Sequence, residues 1–356
     1  MDWIRIIILS NPILFGGDMY IPKSPLLVGI ELTSRCNLQC PHCAADANQV
    51  GTSLPFDKVI STIDEAHKIG VKELPLGGGE VLLYEKFFEV CEYALSKGLI
   101  VSIATNGILV PKNIDKIKKL KRFNVPFRVG ISLDGYTPEM HGYFRPKETF
   151  KSAIEAIELL NEAKIPLSVL CVLHKDVIKN IPTFLQFLSS MDISHVRFLS
   201  LIPLGRGKNY INEMFTSEEL YNMLIEKKKW NKLFGKNIGF HMPWEFLIDS
   251  PDKRNPSPCE AGYLRLWINS NGDIYPCPFM ANLFIGNIYK DSIRDVWINS
   301  PILKELRDPA QLKGTCSTCN YREGCRGGCR GFAQLFKGDF LCTDPYCPIA
   351  NQKQFE

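Results

Sequence analysis

Charge of one sign is scarce in this chain: 42 lysines and arginines stand against 38 aspartates and glutamates in 356 residues, a formal net charge of +4. No arginine-rich face with interleaved aromatics goes with that slight excess, which argues against a nucleic-acid partner. A membrane-spanning segment is lacking too. The apolar run at residues 3–15 falls short of the roughly 20 residues a bilayer requires, Asn11-Pro12 interrupts it, and no small-residue cleavage site follows. It reads as a helix packing on the body of the protein in preference to a surface membrane anchor.

A fourth cysteine is missing where one would close a metal site. Cys36, Cys40 and Cys43 form a C-x3-C-x2-C triplet with no other cysteine nearby. A [4Fe-4S] cube takes four ligands, as structural zinc normally does, so the triplet leaves one metal corner to something that is not protein. An open corner suggests catalysis; the competing reading is a zinc knuckle that borrows His42. The 13 cysteines gather at the two ends of the chain with metal-ligand spacings, which points to an intracellular metalloprotein and away from a disulfide framework. Cys91 and Cys171 stand apart in apolar stretches and are expected in the core.

From Leu26 to about Ile202, short β-branched runs alternate with helical patterns, the signature of parallel strands joined by crossover helices. Strands are expected at 27–32, 73–76, 100–104, 127–133, 167–173 and 195–201, with amphipathic helices at 56–69, 84–97, 148–163 and 177–190. Six such units make an incomplete barrel, since a closed eight-unit barrel needs about 250 residues. The expected fold class is therefore α/β, a partial (β/α)6 TIM-like barrel followed by a small cysteine-rich domain. Chemistry in such sheets sits at the C-terminal strand ends, and the cysteine triplet directly follows the first strand.

Other strand ends carry matching signals. Leu76-Gly77-Gly78-Gly79-Glu80 joins glycines, which let backbone approach a ligand closely, to a carboxylate that can accept from an ammonium group. Thr105-Asn106-Gly107 is by itself a turn signal. Ser132-Leu133-Asp134-Gly135 is followed by His141-Gly142-Tyr143-Phe144-Arg145, and Pro203-Leu204-Gly205-Arg206-Gly207 follows the sixth strand. Together with the triplet, these segments resemble the radical SAM enzymes. The resemblance implies that Cys36, Cys40 and Cys43 ligate a cluster whose open iron takes the amino and carboxylate groups of S-adenosylmethionine. It implies that Gly78, Gly79 and Glu80 bind the methionine amino group, with Val81 where the family has proline. Asn106 matches the family's Thr-Asn-Gly turn and joins the cofactor-binding residues. Ser132 would bind ribose or carboxylate, and Arg145 would pair with the carboxylate through a charge-assisted fork. Residues 203–207 resemble the segment that lies along adenine.

Residues 208–258 read as a connector with one helical pattern at 217–233, opened by Thr216 or Ser217. Beyond it stand Cys259, a Gly-x4-Cys ending at Cys277, a C-x2-C-x5-C-x3-C run of Cys316, Cys319, Cys325 and Cys329, then Cys342 and Cys347. The run alone would suit a zinc ribbon. The whole constellation resembles the SPASM domain, which houses up to two auxiliary [4Fe-4S] clusters beside a radical SAM barrel. That resemblance implies an outer cluster on Cys316, Cys319, Cys325 and Cys347, and an inner one on Cys259, Cys277 and Cys329. Cys342 is either the inner cluster's fourth ligand or a spare thiol, and a spare thiol would leave an open iron able to bind substrate. The expected domains are an N-terminal extension (1–24), the barrel (25–207), the connector (208–258) and the SPASM domain (259–356).

The implied activity is reductive cleavage of S-adenosylmethionine to a 5'-deoxyadenosyl radical that abstracts hydrogen from substrate, in the cytoplasm, with a reductant such as ferredoxin or flavodoxin. Maturation of a ribosomally made peptide or protein is the first expectation, and radical oxidation or decarboxylation of a small molecule or tetrapyrrole is the alternative. A non-catalytic iron-sulfur carrier or scaffold is the remote one. With some 25 residues ahead of the first strand, no fused leader-recognition module is expected.

Overall fold

The structure, a computed structural model, describes residues 22–193, 195–235, 237–240, 244 and 259–351. The apolar run at 3–15 lies outside the described residues. Strands β1 (Leu27–Thr33), β2 (Glu73–Gly78), β3 (Ile100–Thr105), β4 (Phe127–Ser132), β5 (Leu167–Val172) and β6 (His195–Leu199) form where the β-branched runs stand. They pair in parallel, each with the next. Between them lie α1 (Phe56–Ile69), α2 (Phe87–Ser96), α3 (Val110–Lys119), α4 (Thr149–Glu162) and α5 (Ile181–Ser190). The helix α3 escapes the sequence pattern because it buries only Val110 and Ile117 beneath a lysine-rich surface. The pattern at 177–190 breaks at Asn180, where a proline in the first turn starts α5 afresh.

The sheet extends beyond the six expected strands. On one side β7 (Asn237–Phe240) pairs with β6, inside the region read as a connector. It follows α6 (Ser217–Phe234), whose Thr216 and Glu219 cap each other's backbone. On the other side come β8 (Arg265–Ile268), β9 (Asp273–Tyr275) and β10 (Gly286–Asn287), giving the order β10-β9-β8-β1-β2-β3-β4-β5-β6-β7 in an unclosed sheet. The helix α7 (Arg330–Lys337) lies in the cysteine-rich part that follows.

Strand β8 fastens that cysteine-rich part to the barrel. It runs parallel to β1, with Leu27 opposite Arg265 and Ile30 opposite Ile268. Trp267 Nε1 donates to Glu31 Oε1 at 2.8 Å, and its ring fills the space above Gly29, where any side chain would collide with it. Val28, Ile30, Leu74, Val101, Val129 and Ile131 bury fully beneath the helices, each contributing about 1.5–3 kcal/mol. Cys91 and Cys171 are fully buried in this core.

Candidate functional site

The three-cysteine loop leaves β1 at the C-terminal end and is tied down by backbone. Ser34 N–H donates to Thr52 O at 2.9 Å and Cys36 N–H to Asn48 O at 2.6 Å. Arg206 closes the loop from across the barrel: its backbone N–H donates to Cys43 O at 3.0 Å, Nε to Cys40 O at 2.9 Å and Nη2 to Ala47 O at 2.8 Å, while Nη1 pairs with Asp46. The sequence places Arg206 in a glycine-rich loop that resembles the adenine-flanking segment, but its hold on the cysteine loop does not show there, because its partners lie 159 to 166 residues upstream. Burial pushes the Cys36 thiol up to about 11 and raises Cys40 as well. His42, the residue a zinc knuckle would borrow, is buried with Nδ1 2.9 Å from Phe144 O.

The loop after β2 lies directly on the cysteine loop. Gly79 N–H donates to Thr33 O and Glu80 N–H to Arg35 O, both at 2.8 Å. Such an approach needs glycine: a Cβ on Gly78, which sits at φ +143°, would strike Thr33 O, and one on Gly79 would strike Arg35 O. Glu80 is 1% exposed. Its oxygens accept from Thr105 Oγ1 at 2.8 Å, Asn106 N–H at 3.0 Å and Leu82 N–H at 3.1 Å. Burial raises its pKa against the pull of these donors. A carboxylate has about four lone-pair sites, so three donors leave room for one more. Asn106 Nδ2 then reaches Asn37 Oδ1 at 2.8 Å, which joins the turn after β3 to the cysteine loop.

Past the end of β4, Asp134 is fully buried and organises its surroundings. Its Oδ2 accepts from Arg145 Nε at 2.6 Å and its Oδ1 from Val172 N–H at 2.7 Å, while its own N–H donates to His141 Nδ1 at 3.2 Å. Burial works against the carboxylate, but Arg145, His42 and His141 together outweigh it and hold Asp134 below its ordinary pKa. Arg145 Nη1 stands 4.0 Å from Cys40 Sγ. Ser132 lies half-buried at the end of β4, two residues before Asp134. Asp134 was missed as a site residue in the sequence, where the only available signal is a carboxylate just past a strand end.

Charge interactions divide the C-terminal thiols into two sets. Cys325 feels the charge of Cys347 and of Cys316, Cys347 feels that of Cys316, and Cys319 acts on Cys316. Cys259 acts on both Cys277 and Cys329, and Cys277 acts on Cys329. Cys342 lies beside Asp339 instead. Burial pushes Cys277 and Cys325 up to about 12 and Cys347 up to about 11. Buried thiols of this kind lose their protons when a metal ion supplies the compensating positive charge, so the donor sets fit iron-sulfur clusters.

The radical SAM superfamily model matches residues 30–188, and the model of the SPASM iron-sulfur cluster-binding domain matches residues 259–320. The chain is 30% identical over 343 residues to the AdoMet-dependent heme synthase of Methanosarcina barkeri, a match covering 91% of this chain and 97% of that protein. It is 29% identical to the mycofactocin maturase MftC of Mycolicibacterium smegmatis, covering 91% of this chain and 83% of that one. Its fold is similar to Streptococcus suis SuiB crystallised with S-adenosylmethionine, with a TM-score of 0.75 at 19% identity over 91% of this chain and 77% of that one.

Proposed function

The chain belongs to the radical SAM superfamily and carries a SPASM iron-sulfur domain, and on that premise we propose that it matures a ribosomally made peptide from a site built on Cys36, Cys40 and Cys43. When bound, the [4Fe-4S] cluster supplies the electron that cleaves S-adenosylmethionine, and the resulting 5'-deoxyadenosyl radical abstracts hydrogen from substrate. The chain's own residues hold the cofactor. Arg145, anchored through Nε on Asp134, offers its remaining N–H groups to the methionine carboxylate. Gly78, Gly79 and Glu80 receive the amino group, Asn106 closes the turn beside it, and Ser132 takes the ribose or carboxylate. Arg206 keeps the cysteine loop in place. The outer auxiliary cluster is assigned to Cys316, Cys319, Cys325 and Cys347, the inner one to Cys259, Cys277 and Cys329, and Cys342 to a further inner ligand or a spare thiol.

One observation carries this reading: a guanidinium locked on a buried carboxylate stands 4.0 Å from a thiol of the open triplet. A carboxylate-bearing ligand of the cluster's free iron would find its counter-ion there. The likeness to a mycofactocin maturase supports a peptide substrate. A second reading, an iron tetrapyrrole, draws on the 30% identity to a heme synthase. Among the described residues no helix is long and apolar enough to cross a membrane. A cytoplasmic setting with ferredoxin or flavodoxin as reductant completes the proposal.

The test is 5'-deoxyadenosine formation by reduced, reconstituted enzyme given either a peptide encoded beside its gene or an iron tetrapyrrole. Stimulated turnover with a mass change in the peptide supports the first reading. Stimulation by the tetrapyrrole alone replaces it with the second.

A further inference from the structure

Arg330 opens α7, and its side chain is 1% exposed, yet little binds it. Nη1 donates to Phe340 O at 2.5 Å, while Nε and Nη2 are buried without a hydrogen-bond partner. The charge of Asp344 and that of Arg330 act on each other, but no hydrogen bond joins them: Asp344 Oδ2 accepts from Cys329 N–H at 2.5 Å and Oδ1 from Tyr346 N–H at 2.9 Å. A guanidinium cannot discard its proton to escape burial, and a buried N–H without an acceptor is costly. A further acceptor, best an anionic one, therefore belongs beside Nε and Nη2.

The surrounding chain indicates which anion. Between Cys325 and Cys329 the backbone turns through Gly327 and Gly328 at φ of +85° and +72°. The turn folds over the guanidinium so closely that a Cβ on Gly327 would strike Nη2. Arg330 thus lies under the segment that links the two sets of thiols, and its charge acts on Cys316. A cube on four thiolates carries net negative charge that grows by one on reduction, so a neighbouring cation favours the reduced form. Net charge and hydrogen bonds to sulfur are among the factors that set the potential of such clusters.

We propose that Arg330 is the counter-ion of the outer auxiliary cluster, donating Nε–H and Nη2–H to its sulfurs and raising its reduction potential. This inference rests on the ligand assignment above, and the two fail separately. Protein without two auxiliary clusters refutes the assignment, whereas unchanged potentials in protein that holds both refute the role of Arg330. The experiment is a redox titration of the reconstituted enzyme followed by paramagnetic resonance, with Cys347→Ala identifying the outer signal. In Arg330→Gln the outer cluster should become at least tenfold harder to reduce, about 59 mV for a one-electron couple, with the other two clusters unmoved. Arg330→Lys, which keeps the charge and loses the fork, should shift less in the same direction. Loss of the outer cluster alone in either variant supports the same role. Wild-type potentials in both variants, or a shift confined to the inner cluster, overturn it.

Discussion

Arg145 is clamped to Asp134, with Nε 2.6 Å from Oδ2, so that one end of the guanidinium is held by a fully buried carboxylate and the other faces Cys40. The pair fixes a guanidinium beside the cysteine triplet, where the proposed function has it receive a carboxylate.

Asp134→Ala should therefore damage both stability and cofactor binding. Removing one partner of a buried pair leaves an uncompensated charge and costs about 3–5 kcal/mol. Thermal unfolding should fall sharply, and S-adenosylmethionine affinity, measured by calorimetry on reconstituted protein, should drop at least tenfold. Unchanged affinity would remove Arg145 from the carboxylate site.

His141 adds a pH dependence. Thr149 Oγ1 gives its hydrogen to Pro146 O at 2.7 Å, so at 3.0 Å it can only accept from His141 Nε2, and Nδ1 accepts from Asp134 N–H. The ring is thus neutral, and burial lowers its pKa from 6.5 to about 4 against the attraction of Asp134. Between those values the unfolded chain binds a proton that the folded one does not, so stability falls with pH from about 6.5 down to about 4, by on the order of 3 kcal/mol from this group. Denaturant titrations at several pH values should show a smaller loss across that window in His141→Gln than in wild type.

Gly79→Ala tests the contact of the two loops. The added methyl meets Arg35 O, which is backbone and cannot swing aside. Iron analysis should show loss of the cluster on the first triplet while the auxiliary iron remains. Full iron occupancy would mean the loops can part without harm to the site.

Sequence and structure agree where the signal is local. The strands β1 to β6 announce themselves by β-branched runs, and the turn at Gly78 and Gly79 by glycines that the close approach to the cysteine loop requires. The strand β7 has four residues and only Ile238 and Phe240 to bury, too few to show a period. The contacts of Asp134, Arg206 and Arg330 do not show in the sequence for another reason. The meaning of Asp134 and Arg206 comes from partners far along the chain, such as Val172 for Asp134 and Cys40 for Arg206, and that of Arg330 from burial that spacing does not reveal.

The two last cysteines should behave differently. Cys347 interacts by charge with Cys316 and Cys325, whereas Cys342 lies beside Asp339. Cys347→Ala should lose the outer cluster and destabilise the C-terminal domain, because metal binding supports the folding of such ligand-rich domains. Cys342→Ala should leave S-adenosylmethionine cleavage intact and alter at most the inner cluster's spectrum. Paramagnetic resonance and iron analysis showing the reverse ranking would exchange their roles.

The most direct test of the central claim is iron content and 5'-deoxyadenosine formation, measured on anaerobically reconstituted wild type and on the triple variant Cys36→Ala, Cys40→Ala, Cys43→Ala. Wild type should be brown, hold about 12 irons as three cubes, and cleave S-adenosylmethionine when reduced. The triple variant should lose one cube and all cleavage while keeping the auxiliary pair. Colourless, zinc-loaded wild type, or a triple variant that still cleaves, would contradict the account.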